Sequence, residues 1–210
     1  MVQLFLDGGG FMWPILVVFI FGLAFVIERI YHLLKGMATD LSFAESISKS
    51  ILTENIETAK SKCKGEIGPV ANLCAAALER ADRGAEEAEK SLDQAGGIEM
   101  SSLEKNMTWI SLSIAIAPMF GFLGTVWGMI EAFNDIKMAN DISPAVVAGG
   151  ISVALLTTAF GLVVALILQL LQNTVMYIID NQVVTLQKST SLVINSITDH
   201  FKERETGKKL

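Results

Sequence analysis

Between Asn106 and Ile179 this chain carries four charged residues, Glu131, Asp135, Lys137 and Asp141, all in one short stretch. Uncharged runs flank it, 25 residues over 106–130 and 38 over 142–179. About 20 apolar residues suffice for a helix to cross the ~30 Å hydrocarbon core of a bilayer. In hydrocarbon the backbone must satisfy its own hydrogen bonds, which leaves a helix as the form such a run can take. The expected unit is a membrane hairpin over 106–180, turning at 131–141. Its arms hold hydroxyl residues but no carboxylate.

A third uncharged run covers 8–27 and is dominated by Phe, Ile, Leu and Val. No Lys or Arg precedes it, and no small-residue cleavage site comes before Glu28-Arg29, so it reads as a retained helix rather than a signal peptide. Trp13 and Pro14 suit its entry at the membrane interface. With 51% apolar residues in 210, the fold class expected is an all-α membrane protein with three transmembrane helices. Its segments are 1–35 (outer end and first span), 36–105 (cytoplasmic helices), 106–180 (hairpin) and 181–210 (cytoplasmic helix and tail).

Cations set the orientation. None of the Lys and Arg residues lies in 1–27; ten lie in 28–105, one in 131–141 and five in 180–210. The N-terminus and the 131–141 turn are therefore expected outside, and the 28–105 segment and C-terminus inside. The net charge of −6 is spread over the polar segments without a basic stripe, so no nucleic-acid partner is expected. Cys63 and Cys74 are eleven apart with no second pair or clustered His, unlike a zinc site, and read as small buried hydrophobes. His32 and His200 read as solvated.

Residues 41–105 have helical periodicity throughout, with Phe43, Ile47, Ile51 and Ile56 in one segment and Val70, Leu73, Ala77 and Ala81 in another. Gly65 and Gly68-Pro69 are expected to separate two helices, a second helical stretch to run from Pro69 to about Gln94, and Gly96-Gly97 to interrupt the helix returning to the membrane. No Gly or Pro occurs between Leu162 and Thr206. The third span is therefore expected to continue as a long helix, with Leu186, Leu192, Val193 and Ile197 on an apolar stripe.

The chain has no Gly-x-Ser-x-Gly, phosphate loop, His-x-x-x-His or Cys-x-x-Cys. That argues against an enzyme and against a bound cofactor or resident metal. Its chemistry resides in the hairpin. Pro118, Gly121 and Gly124 in the second span, and Gly150, Ala154 and Gly161 in the third, are small or helix-shaping residues at i,i+3/i+4 spacing, suited to close helix packing. Thr125, Thr157 and Thr158 add hydroxyls among them. One reading is packing, with each hydroxyl bonded back to a carbonyl one turn earlier. The other is an ion path, whose carboxylate must then come from another chain.

Two stretches resemble the MotA/TolQ/ExbB family of ion-channel stator subunits, Ala117-Pro-Met-Phe-Gly-Phe-Leu-Gly-Thr-Val-Trp-Gly-Met-Ile-Glu-Ala-Phe133 and Gly149-Gly-Ile-Ser-Val-Ala-Leu-Leu-Thr-Thr-Ala-Phe-Gly161. The first is similar to the Gly-Leu-Leu-Gly-Thr-Val-x-Gly-Met pattern of the TolQ/ExbB branch, and three spans fit that branch better than four-span flagellar members. The resemblance implies a bacterial inner-membrane protein. It further implies a homopentamer around a dimer of a single-span partner like ExbD or TolR, whose aspartate takes up the ion. Thr125 and Thr158 fall on the family's hydroxyl positions facing that partner. Val153 stands where many members have Glu. Thr157 adds a hydroxyl typical of sodium-driven members, so the translocated ion, H+ or a Na+ held transiently near Thr125, Thr157 and Thr158, stays open. The function implied is an energy-transducing stator for tasks such as protein transport; the alternative is a non-conducting helical scaffold.

Overall fold

A computed structural model describes residues 2–36, 41–139 and 144–207, and every long element in it is an α-helix. The helices are α1 (Val2–Asp7), α2 (Met12–Gly36), α3 (Leu41–Thr53), α4 (Ile56–Cys63), α5 (Pro69–Ala81), α6 (Ala85–Leu103), α7 (Met107–Ala139) and α8 (Pro144–Gly207). Among the described residues, stretches within α2, α7 and α8 are long and apolar enough to cross a membrane. The protein is thus an all-α, multi-pass membrane protein. Contacts divide it into two units, one of residues 1–29 with 106–175 and one of residues 30–105 with 176–210.

In the first unit, α2 packs on α7 and α8 through Ile15, Ala117, Val164 and Leu168. Gly22 permits that approach, because a Cβ there would lie 2.8 Å from Leu168 Cδ1 and 3.0 Å from Ser113 Cβ. Phe25 stacks on Trp109 with ring centroids 6.2 Å apart. Helix α7 passes without a break through Pro118. It also continues past the residues read as a turn, since Glu131 to Ala139 are helical. The charges there do not break the helix. They are spaced along it, and Glu131 accepts from the Trp127 indole one turn back at 2.8 Å. Asp141 lies outside the described residues.

The second unit contains α3–α6 together with the part of α8 from residue 176 onward. Its core is made of side chains such as Ile47, Ile51, Leu73, Leu78 and Ile197, all almost fully buried. Asn55 caps α4 by accepting from the Ile56 N–H, and Pro69 occupies the first turn of α5. The helical stretch from Pro69 to about Gln94 is divided between α5 and α6. The chain turns at Gly84, whose φ of 113° is a conformation other residues resist. Gly96-Gly97 interrupt nothing and sit inside α6, where Gly96 faces Leu73 of α5. The interruption comes instead at Asn106, with φ 65°, a left-handed position that asparagine tolerates. Helix α8 has the uninterrupted length expected, 64 residues.

Cys63 and Cys74 are free and buried, in α4 and α5. The hydrogen bond with Cys63, together with burial, pushes the Cys74 thiol far up. His32 is exposed, as expected. His200 is not fully solvated: it is half-buried, with Nε2 inside the packing beside Phe201.

Candidate functional site

The buried residues of α7 within the first unit include Ser113, Ala117, Gly121, Gly124, Gly128 and Ala132, at spacings of four, four, three, four and four. Those of α8 include Ala154, Thr157, Gly161, Val164 and Leu168. Each set is a helical stripe, and the two meet as an antiparallel seam. Its closeness is set by missing side chains. A Cβ on Gly161 would lie 2.6 Å from the Ala117 carbonyl oxygen, and one on Gly121 would lie 2.9 Å from that of Thr157. A Cβ on Gly124 would lie 2.6 Å from Thr157 Oγ1, and one on Gly150 would overlap the Ala132 methyl. Such backbone approach is how helices associate where lipid removes the hydrophobic drive between them.

Because the backbones are so close, hydroxyls of one helix reach carbonyls of the other. Thr125 Oγ1 donates to the carbonyl of Gly121 at 3.2 Å or across the seam to that of Ala154 at 3.2 Å. Thr157 Oγ1 donates to Ala154 O at 2.8 Å, with Gly121 O at 3.3 Å. Thr158 Oγ1 donates to Gly121 O at 3.1 Å and is in direct hydrogen bond with Thr125 Oγ1, where either can be the donor. Three hydroxyl protons thus share two backbone carbonyls. The arrangement permits a chain from Thr125 through Thr158 to the Gly121 carbonyl, and such chains polarise one another in a low dielectric.

The three threonines are not equivalent. Thr157 is 1% exposed and lies inside the seam against Gly124. Thr125 and Thr158 are half-buried at its edge, where a group from outside the hairpin can reach them. Of the residues read as packing positions, Gly121, Gly124, Ala154 and Gly161 are buried, while Gly150 and Pro118 are half-buried. Thr125 meets Thr158 of its own chain. Nothing in the sequence pointed to the carbonyls of Gly121 and Ala154, but it did point to the seam position of Gly128. That signal is the repeat of Gly121, Gly124 and Gly128 at helical spacing. Among the described residues, no group of three His, Cys, Asp or Glu side chains gathers to hold a metal ion.

A model of the MotA/TolQ/ExbB proton channel family matches residues 65–188, more than half of the chain and all of both motif stretches. The chain belongs to this family. An ExbB homolog of Methanothermobacter thermautotrophicus, named as a biopolymer transport protein, is 30% identical over 87% of the chain and 65% of its own length. An ExbB-like protein of Synechocystis is 27% identical over 94% of the chain and 97% of its own length. The ExbB of Salmonella typhimurium is 50% identical over 52 residues, 25% of the chain and 21% of the relative. The chain therefore spans just under two thirds of the archaeal relative and nearly all of the cyanobacterial one. These relatives put it in the ExbB/TolQ branch of the family.

Proposed function

We propose that this protein is the ion-conducting stator subunit of an inner-membrane energy-transducing complex. The observation that carries the reading is the Thr125–Thr158 hydroxyl pair at the half-open edge of the glycine-rich seam. A bare charge in hydrocarbon is costly, so an ion passing this edge needs a carboxylate and polar partners for it. The hydroxyls and the Gly121 carbonyl are the polar partners. The carboxylate would come from a single-span ExbD/TolR-like partner, a dimer inside a pentamer of this chain, and ion flow would drive rotation and work through the partner's outer domain. The N-terminus is outside and the C-terminus inside in this reading, which the distribution of cations supports.

Of the two ions, the proton is favoured. A dehydrated sodium ion requires several oxygen ligands. The buried Thr157 hydroxyl is already engaged with the Ala154 and Gly121 carbonyls. A proton needs only a titrating carboxylate and a polar path. The glycine seam also supports the non-conducting scaffold, and Thr158→Val separates the two. With the partner co-expressed and assembly intact, a conducting stator loses most of its ion-dependent activity, while a scaffold keeps it. Full activity in sodium-free buffer, abolished by a protonophore, identifies the proton; loss of activity without sodium identifies sodium.

A further inference from the structure

We infer that a carboxylate-bearing cavity at the outer end of α7 is the vestibule that collects cations for the hydroxyl cluster, with Glu131 as the collecting group. The inference rests on the ion-channel reading above. The cavity, about 380 Å³, lies in the first unit between the Gly8–Gly10 loop and the α7/α8 seam. A water occupies about 30 Å³ of liquid, so it has room for roughly a dozen.

On α7, Gly124, Trp127, Gly128 and Glu131 line the cavity, a stripe of one helical face. Among the described residues lining it Glu131 is the charged one, and its Oε1 accepts from the Trp127 indole N–H at 2.8 Å. That bond tethers one oxygen and leaves the other for water or a cation. Phe11 packs on Trp127 at a centroid distance of 6.1 Å and closes one side. Gly9, with φ 72°, brings the loop against α8, where a Cβ would lie 3.3 Å from Val153 Cγ1. Thr157 and Gly124 line the seam side of the cavity. Thr157 shares the Gly121 carbonyl with Thr158, so the cavity abuts the hydroxyl cluster.

The separation suits a two-stage path. Glu131 is seven residues beyond Gly124, about 10 Å along the helix. It is thus too far to serve as the transferring carboxylate, but within the range over which a charge raises the local concentration of counter-ions in a low-dielectric cleft. Its role is to attract the cation, whereas Thr125 and Thr158 are the polar groups that the cation meets next.

The test is ion flux through the complex carrying its native partner, in phosphatidylcholine vesicles under an imposed membrane potential, read by an internal pH- or sodium-sensitive dye. Glu131→Gln is isosteric and exposed, and its assembly is checked by size-exclusion chromatography. At about 10 mM ionic strength E131Q should conduct roughly tenfold less than wild type, the low end of electrostatic steering. At about 500 mM, where screening shortens the reach of the charge, the gap should close to within about twofold. Glu131→Asp should recover most of the flux. A conducting wild type with an equally conducting E131Q at low salt overturns the vestibule and leaves the channel reading standing, and so does a defect that salt does not reduce. A wild-type complex that passes no ion under any condition overturns both.

Discussion

The α7/α8 seam and the α5/α6 pair are both antiparallel helix contacts, yet they are built by opposite means. In the seam, side chains are removed. Gly121, Gly124, Gly128 and Gly161 let backbones touch, and the remaining polarity is hydroxyl to carbonyl. In the α5/α6 pair, side chains fill the gap: Leu73, Leu78 and Leu92 are buried, and ion pairs such as Lys90–Glu86 lie outside. The two modes of packing suit different solvents. Burying apolar surface from water stabilises a soluble bundle at about 25 cal/mol per Å², but lipid offers no such gain, so a membrane pair relies on close contact and internal hydrogen bonds.

The contrast is broken most easily by exchanging the two kinds of change. Leu78→Ala in α5 should cost the bundle about 2–5 kcal/mol, the usual range for a leucine cavity, measured as a lowered midpoint in chemical denaturation. In the seam, adding volume should do the harm. Gly161→Ala places a methyl 2.6 Å from the Ala117 carbonyl and should cost about 1–3 kcal/mol by overpacking, seen as loss of monodisperse complex in detergent at elevated temperature. A tolerated Gly161→Ala would show that the seam opens easily, and the comparison would fail.

A smaller effect sharpens the description of the α3–α6 unit. Cys74 has its thiol held protonated by the hydrogen bond with Cys63 and by burial, and the thiolate is the form that reacts. Folded protein at about pH 8, near the ordinary thiol pKa, should therefore be alkylated at Cys63 well before Cys74, as peptide mass spectrometry would show. Equal rates would mean that the bundle does not hold the two thiols as described.

Much of this molecule was legible from charge and periodicity. The uncharged runs predicted α2, α7 and α8, because a membrane span has few ways to be written. Breaks between the polar helices were harder to read. Gly96-Gly97 invited an interruption that packing against Leu73 overrides, while Asn106, in a stretch of good helix formers, supplied the actual turn through its left-handed backbone. Composition also could not show that Glu131–Ala139 continues α7, since isolated charges on a helix resemble charges in a turn. In the site, the residue types were evident but their partners were not. Thr157 and Thr158 are neighbours in sequence, and only the rotation of α8 against Gly121 and Gly124 sends one into the seam and the other to its edge.

The central claim is that Thr125 and Thr158 act as one polar unit on the ion path. A double-mutant cycle on ion flux, with Thr125→Val, Thr158→Val and both together in the assembled complex, tests it directly. Shared function through the direct hydroxyl bond predicts that each single change removes most of the flux and that the double variant is little worse than the worse single. Losses that multiply independently, or a double variant that conducts like wild type, would contradict the account.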